Sequence, residues 1–416
     1  MKSSRSWCAA LALAATLTAP AAATAAPVWI TVGDEAWSLV ASRATDARVL
    51  GSRDVPVTVP VRRGARETMR SNERVHAVEV DERWLDALSE AVHHELRRCG
   101  GFVQHDSMAE ALATLHRIDS APTPELAPSY TIDDAALVQP MLPLLQDSRI
   151  LATIESLAQF QNRLYTSPSG VEASDWLAQQ WRALAGTRAH VRVEQVRHAG
   201  WPQKSVLLRI AGNGANAAET VVLGAHLDSI NGTASTTRAP GADDDASGVA
   251  SLTEVIRVLM DRDFRPSRTI EFIAYAAEEV GLRGSTQIAT RYKRQRKPVV
   301  GVLQLDMTAY QGDAVDLWIY TDYTDAAQNA FIANLASTYL PQLTVAYDRC
   351  GYGCSDHAAW TGKGYAASFP FESSFANYNR TIHTANDTTA VFGTQALHAL
   401  KFTQLALAFA VELGAD

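Results

Sequence analysis

Histidine and acidic side chains follow three apolar runs of this chain, at the points where each run ends. VVLGAHLDS ends with His226 and Asp228, IEFIAYAAEE ends with Glu278 and Glu279, and VGVLQLDMT ends with Asp306. In open α/β sheets, ligand sites gather beyond the carboxyl ends of the strands. We therefore expect these five side chains to lie close together.

Two further segments carry the same residue types. PGADDDASG places Asp243, Asp244 and Asp245 before a helix, and RTIHTAND contributes His383. Imidazoles and carboxylates are ligands that Zn²⁺ accepts, about four to an ion. If one aspartate bridges two ions, two histidines and two further carboxylates complete a two-ion site. Its charge balances, because three carboxylates and one hydroxide neutralise two Zn²⁺. The structural alternative for Asp245 and Ser247 is capping of the following helix.

The elements that must position these groups alternate between helix and strand from about residue 131. This pattern predicts an α/β fold with a mixed, mostly parallel central sheet flanked by helices on both faces. We expect no repeats and no further domain. The predicted helices cover 148–165, 170–186, 247–261 and 286–295, with one more from about 395, and the predicted strands cover 190–198, 204–212, 219–229, 268–279 and 299–308.

Residues 1–25 have the three-part pattern of a secretory signal. Lys2 and Arg5 precede an Ala/Leu-rich stretch that ends in small residues, and we expect cleavage after Ala25. A membrane anchor is the alternative, but Pro20 interrupts the stretch, which is shorter than the ~20 residues that span a bilayer. The mature protein is expected to be secreted, with the periplasm as a place of transit, and not to be membrane-bound.

Residues 26–130 mix short β-like runs with one helical stretch and end in a Ser/Pro-rich linker, DSAPTPELAPS. They predict a small α+β unit in which no chemistry is visible. His93 and His94 lie in the helical stretch, where adjacent side chains point about 100° apart, and we interpret both as surface or packing residues. The position of this segment suggests a pro-segment that is removed or that inhibits the enzyme as a zymogen. A simple folding helper is the alternative.

Composition excludes one class of partner. The chain has 416 residues, 47% hydrophobic, and a net charge of -8. No basic run could neutralise a row of phosphates, so we expect no nucleic-acid partner. Cys350 and Cys354 in CGYGC predict a small-loop disulfide in an oxidising compartment rather than a metal site. The bond would shape the loop that carries Tyr352.

The motifs HLDS, APGADDDASG, AYAAEEVGLRGS, LQLDMT, CGYGCSDHAAW and IHT, in this order, resemble those of secreted bacterial leucyl aminopeptidases with a co-catalytic dizinc centre. The resemblance covers about residues 131–414, within a catalytic domain taken as 131–416. It implies a zinc-dependent exopeptidase, a monomer with two Zn²⁺ per chain. Such an enzyme hydrolyses the N-terminal bond of peptides with a free N-terminus, preferring leucine and other large apolar residues.

The resemblance also implies the ligand set. One zinc would be held by His226 and Asp306, and the other by Glu279 and His383. Asp244 would bridge the two ions, followed by a cis peptide bond to Asp245.

Three further roles follow from the resemblance. Glu278 would be the general base that activates a metal-bridged hydroxide. Asp228 would fix the tautomer of His226; the alternative is that it makes only a loop hydrogen bond. Tyr352 would polarise the substrate carbonyl or stabilise the oxyanion; the alternative is that it only packs on the rim. His357 is interpreted as helix-start chemistry rather than as a ligand.

An apolar pocket for the N-terminal side chain is implied as well, although each residue could instead fill the core. Tyr320 stands where an aliphatic residue is expected, which leaves the ranking of Leu against Phe or Met open. The implied pocket residues are Met307, Phe371, Phe375, Tyr378 and Ile382.

Two other functions remain open at this point. A dizinc carboxypeptidase or deacylase on the same fold would need an arginine that grips a substrate carboxylate, and none stands out near the motifs. A catalytically silent binding module would be expected to lack ligands, whereas this sequence keeps all five.

Overall fold

The structure is a computed structural model, and it describes residues 27–60, 68–96, 98, 101–118, 130–232 and 234–415. The proposed signal segment, its cleavage after Ala25 and the linker over 119–129 lie outside the described residues.

Residues 27–118 form an antiparallel sheet with helices, here called the N-terminal unit, and the α+β prediction for this segment is confirmed. The elements are β1 (Pro27–Gly33), α1 (Asp34–Ala41), β2 (Arg48–Pro60), β3 (Thr68–Asp81), α2 (Arg83–Ala91), β4 (Phe102–His105) and α3 (Met108–Arg117). The strand order is β2-β3-β1-β4, and a π-helical turn, Val92–Leu96, follows α2.

Residues 130–415 form the C-terminal unit, built around an eight-stranded sheet. Short 3₁₀ turns cover Leu142–Leu144 and Thr389–Val391. Its elements are α4 (Ala135–Val138), α5 (Asp147–Ala158), α6 (Pro168–Ala185), β5 (Val191–Val196), β6 (Ser205–Ile210), β7 (Thr220–His226), α7 (Ala246–Asp261), β8 (Thr269–Tyr275), α8 (Arg283–Arg294), β9 (Val299–Gln304), β10 (Leu317–Tyr320), α9 (Ala326–Tyr339), β11 (Val345–Asp348), α10 (His357–Gly362), β12 (Ala367–Phe371) and α11 (Leu397–Ala415).

The sheet of the C-terminal unit confirms the predicted fold class. Its order is β11-β10-β12-β9-β7-β8-β6-β5. The four central strands, β12, β9, β7 and β8, pair in parallel, and antiparallel pairs join β6 to β8 and to β5. All seven residues of β7 are buried, as expected for a strand with helices on both faces.

Alternation along β7 divides its side chains between two cores. Val221 and Leu223 pack with residues of α5, α7 and α11, whereas Val222 packs with residues of α8 and α10. Burial of an aliphatic side chain contributes about 1.5–3 kcal/mol, so this two-sided pattern holds the strand register firmly. Because His226 of β7 pairs with Tyr275 of β8, the two strands end at the same sheet edge.

The two units pack against each other beside this edge. A Cβ atom on Gly281 (φ 95°) would lie 2.2 Å from Cε2 of Phe102, and one on Gly353 would lie 2.2 Å from Cγ2 of Val103. Lys363 also pairs with Glu110 at 2.8 Å. The N-terminal unit therefore contacts the loops that follow β8 and surround the cysteine pair. Within the described residues, no helix is both long and apolar enough to cross a membrane.

Candidate metal centre and active site

The loop ends of the central strands bring the predicted metal ligands together. Nε2 of His226, the last residue of β7, lies 2.9 Å from Oδ1 of Asp244 and 3.4 Å from Oδ1 of Asp306. Nε2 of His383 lies 3.0 Å from Oδ2 of Asp244 and 3.0 Å from Oε2 of Glu279. The two carboxylate oxygens of Asp244 thus face different histidines. The peptide bond from Asp244 to Asp245 is cis, as expected.

The chemistry of this cluster fits bound cations. Nε2 of His226, Oδ1 of Asp306, Nε2 of His383 and both carboxylate oxygens of Glu279 are buried, and none has a hydrogen-bond partner among the described residues. Burial opposes protonation of His226, but the carboxylates of Asp306 and Glu278 outweigh it and raise its pKa well above the ordinary value. Buried charges are costly unless they are paired or coordinate metals. Two histidines among converging acids are a donor set that suits zinc.

Asp245 could also hold a metal ion together with His226 and Asp306, but its carboxylate oxygens already accept hydrogen bonds. Oδ2 accepts the amide of His226 at 2.9 Å, and Oδ1 accepts the amides of Gly248 and Met307 at 2.8 and 3.2 Å. The bond from Gly248 makes Asp245 the N-cap of α7, which confirms its capping role. We therefore place Asp244, and not Asp245, between the two histidines.

Ser247 does not have the capping role considered for it and instead links two loops through its hydroxyl. Its hydroxyl donates to the carbonyl of Asp243 at 2.7 Å and accepts the amide of Thr308 at 2.8 Å. It joins the start of α7 to the loop after β9.

Asp228 contacts the acidic pair after β8 through the main chain. Its Oδ1 accepts the amide of Glu278 at 3.0 Å, and its Oδ2 accepts the amide of Glu279 at 3.1 Å. Nδ1 of His226 lies 3.1 Å from the carbonyl oxygen of Asp228 and 3.7 Å from its carboxylate. The nearer acceptor for the His226 ring is therefore the carbonyl, while the carboxylate positions the two glutamates.

Glu278 lies beside the ligands with its carboxylate buried. Neither carboxylate oxygen has a hydrogen-bond partner in the part of the chain that is described. Burial, above all, raises the pKa of Glu278 well above its ordinary value; nearby His226 opposes the shift, and Asp356 adds to it. A carboxylate in such surroundings suits proton transfer.

Several residues that support the ligands were not found by sequence reasoning. Asp387 accepts the amides of Asp243 and Asp244 at 3.1 Å each, and the hydroxyl of Ser355 donates to Oδ2 of Asp306 at 2.6 Å. Asp387 lies four residues after His383, and Ser355 directly follows the second cysteine of CGYGC. The only signal in the sequence for these two residues was their closeness along the chain to a motif already singled out.

Arg163 is a third omission, and no local pattern identifies it. Its fully buried guanidinium donates to the carbonyls of Leu227 at 2.7 Å and Gly241 at 2.9 Å. It thereby joins the loop after β7 to the loop that carries Asp244. Burial lowers the pKa of Arg163, against the carboxylate of Asp387 and its neighbours.

A small apolar cavity opens beside Asp306. Four of the five predicted pocket residues line it, and Ile382 is buried in the same apolar cluster. Tyr320 also lines the cavity, with its ring 4.9 Å from that of Phe371 and its hydroxyl donating to the carbonyl of Ser373 at 3.3 Å. The lining comprises Asp306, Met307, Tyr320, Cys350, Tyr352, Cys354, Phe369, Phe371, Phe375 and Tyr378.

The loop between β11 and α10 contributes to this wall. Cys350 and Cys354 form the predicted disulfide, and Tyr352 between them is 4% exposed. His357 begins α10, as expected, and its ring stacks on that of Phe369 with 4.6 Å between centroids.

His93 lies inside the protein, so of the two roles predicted for it the packing role applies and the surface role does not. The side chain is buried, Nε2 lies 3.1 Å from Oε2 of Glu279, and its ring meets that of His383 with 4.4 Å between centroids. His93, Glu279 and His383 could together hold a metal ion. His94 is exposed, as expected. Residues distant in sequence complete this set, so a search confined to the helical stretch could not find it.

The chain is similar in sequence and in fold to known proteins. The model of peptidase family M28 matches residues 205–408. Leucine aminopeptidase 1 of Penicillium rubens is 36% identical over 297 residues, covering 68% of this chain and 75% of that protein. Leucine aminopeptidase 1 of Grosmannia clavigera is 33% identical over 350 residues, covering 80% and 81%.

Two solved structures are similar across nearly the whole chain. The LapA aminopeptidase of Legionella pneumophila has a TM-score of 0.74 and 29% identity, covering 94% of this chain and 99% of that one. LapB from the same organism has a TM-score of 0.74 and 30% identity, covering 94% and 100%.

Proposed function

We propose, given that this chain belongs to peptidase family M28 and is a metallo-aminopeptidase, that it uses two zinc ions to remove leucine and other large apolar residues from peptide N-termini. The observation that carries the two-ion proposal is the position of Asp244, whose two carboxylate oxygens lie 2.9 and 3.0 Å from two different histidines. A single bound ion would leave one of these histidine-carboxylate groups without a cation.

His226 and Asp306 would hold one ion, Glu279 and His383 the other, and Asp244 would bridge them. When bound, the two ions lower the pKa of a shared water and polarise the scissile carbonyl. Asp245 would hold the loop of the bridging aspartate in position, because its carboxylate accepts hydrogen bonds from the main-chain amides of His226, Gly248 and Met307.

Glu278 would act as the general base. Its buried carboxylate is held near the ligands by the bond from its own amide to Asp228. It would take the proton of the attacking water and return it to the departing amine. General acid–base catalysis of this kind contributes about 10²–10⁴-fold in rate.

Tyr352 and the aromatic cavity would orient the substrate. Tyr352 lines the cavity next to Asp306, where its hydroxyl could donate to the substrate carbonyl as negative charge develops there. The apolar walls suit a large apolar N-terminal side chain, and Tyr320 would limit the depth available to it.

The decisive experiment combines metal content by elemental analysis with hydrolysis of leucine p-nitroanilide. We expect two zinc ions per chain, loss of activity with a chelator, and a Glu278→Gln variant that keeps both ions but loses at least ~100-fold in kcat. The matched variant Glu279→Gln should lose zinc instead. Two zinc ions without hydrolysis of free-amine substrates would favour a deacylase or carboxypeptidase, and absence of bound metal would overturn the site assignment.

We also propose that the protein is secreted as a monomeric zymogen, with residues 1–25 as signal and residues 26–130 as a pro-segment. The close approach of Phe102 to Gly281 and of Val103 to Gly353 supports the inhibitory role of the pro-segment, because it places the N-terminal unit over loops of the site. Cleavage within 119–129 should raise the activity of the purified protein. Equal activity of the intact chain, verified by mass spectrometry, and of a chain beginning at 131 would contradict an inhibitory role.

A further inference from the structure

We propose that His93 binds the zinc ion of Glu279 and His383 as an additional ligand, and that the N-terminal unit inhibits the enzyme through this bond. The inference rests on the proposed dizinc function and adds to it a specific ligand from outside the C-terminal unit.

The position of the imidazole carries the proposal. Nε2 of His93 lies 3.1 Å from Oε2 of Glu279, and the His93 and His383 rings meet edge to face at 83°. One ligand atom from each of these three side chains lies within 4.8 Å of the others. Nε2 of His93 is buried and faces the carboxylate of Glu279. A buried ring nitrogen that faces two proposed metal ligands is positioned to be a third ligand of the same ion.

The surroundings of His93 orient the ring from its other side. Oγ of Ser89 lies 3.3 Å from Nδ1 of His93, and the same hydroxyl donates to the carbonyl of Glu279 at 2.9 Å. Ser89 therefore joins α2 to the main chain of the metal ligand itself. Hydrogen bonding at the second ring nitrogen is the usual means by which a protein fixes a ligating histidine.

The number of donors explains why such a bond would inhibit. Asp244, Glu279 and His383 provide three protein ligands and leave one position of a tetrahedral zinc open. Catalytic zinc sites keep such a position for water or substrate, whereas sites with four protein ligands are structural. His93 would fill the fourth position, and the ion could no longer take part in the reaction.

A second contact places the same segment over the apolar cavity. The guanidinium of Arg98 lies 5.5 Å from the ring centroids of both Tyr352 and Phe375, two residues of the cavity wall. Arg98 is held there by Glu35 of α1, at 2.6 Å. His93 and Arg98 thus contact the metal ligands and the cavity from one short stretch of chain.

The test uses the full-length protein loaded with Zn²⁺, comparing wild type, His93→Ala and His94→Ala. His94 is the matched control, since it lies on the same turn with an exposed side chain. We expect His93→Ala to release one of its two zinc ions to a chromophoric chelator at least ~10-fold faster, as loss of a contact to a metal site implies. Its hydrolysis of leucine p-nitroanilide should rise at least ~10-fold, and His94→Ala should match wild type in both respects.

Either change alone would overturn the proposal. Higher activity with unchanged zinc release would mean that His93 obstructs the site without binding the ion, and faster release without higher activity would mean that the bond does not inhibit. If circular dichroism shows that His93→Ala is misfolded, His93→Gln decides by the same two readouts, because it keeps a polar side chain of similar size.

Failure of the proposed function would look different. A chain beginning at 131 that binds two zinc ions but cannot hydrolyse leucine p-nitroanilide would contradict the aminopeptidase proposal. Zinc release from full-length His93→Ala would still report whether His93 is a ligand.

Discussion

The carboxylate of Asp228 accepts the main-chain amide of Glu279 at 3.1 Å. Its other oxygen accepts the amide of Glu278, so a single side chain positions both the metal ligand and the proposed base. The two glutamates are adjacent in sequence, but the carboxylate of Glu279 lies 3.0 Å from Nε2 of His383, whereas that of Glu278 is the proposed base.

We predict that Asp228→Asn weakens zinc binding and catalysis together. The amide group of asparagine has only one acceptor oxygen, so one of the two glutamate amides would lose its partner. Loss of such support around a metal site typically costs 10–100-fold in affinity or activity. Zinc affinity by chelator competition and kcat/KM should both fall by roughly this factor, whereas Asp175→Asn, at an exposed carboxylate of α6, should change neither. Equal values for the two variants would rule out the positioning role.

Tyr352→Phe tests the proposed carbonyl donor. Removing one donor to a developing oxyanion typically lowers kcat by about 10²–10³, and we expect a fall of this size with KM changed far less. Tyr378→Phe is the control, because Tyr378 lines the same cavity and is proposed only as a wall. A wild-type kcat for Tyr352→Phe in steady-state kinetics would rule out the donor role and leave Tyr352 as a packing residue on the rim.

Tyr320→Leu should widen substrate preference toward larger side chains. Tyr320 is 1% exposed and lines the cavity, so a smaller residue leaves space at the wall. A change of this size in an apolar pocket alters the discrimination between two substrates by about 1–3 kcal/mol. We expect the kcat/KM ratio of phenylalanine to leucine p-nitroanilide to rise about 10-fold. The control Tyr347→Leu, at a position 53% exposed, should leave the ratio unchanged. An unchanged ratio for Tyr320→Leu would show that Tyr320 does not determine specificity.

His105 makes the stability of the N-terminal unit depend on pH. It is buried beside Thr31 (3.0 Å), and burial, with smaller effects of Lys363 and Arg117, lowers its pKa from 6.5 to about 3. Between these values the unfolded chain binds a proton that the folded chain does not, so stability falls as pH falls below 6.5. From pH 7 to pH 5 this amounts to about 2 kcal/mol.

The matched variant is His105→Gln, which cannot titrate in this range but keeps polar atoms for Thr31. Urea unfolding of both proteins at pH 7 and pH 5 should show a smaller loss of unfolding free energy for the variant. The same pH dependence in both proteins would show that His105 does not account for the loss.

Much of the C-terminal unit could be predicted from local pattern. The strands around β7, β8 and β9 are continuous apolar runs that end in polar residues, and strands buried on both faces must have this composition. Parallel neighbours end at one sheet edge, so placing His226, Glu279 and Asp306 together required only the strand assignment. The strands β10, β11 and β12 were not predicted, because each spans only four or five residues. Two of them, β10 and β12, contribute Tyr320, Phe369 and Phe371 to the cavity wall.

The fold class, the disulfide between Cys350 and Cys354, and the convergence of acids and histidines at one edge could be predicted from the sequence, because each depends on spacing along the chain. The folded structure was needed to show that Arg163 and Asp387 support the bridging loop, and that His93 lies against Glu279 and His383. Those contacts join elements far apart in sequence, and their partners are main-chain groups or side chains that leave no local pattern.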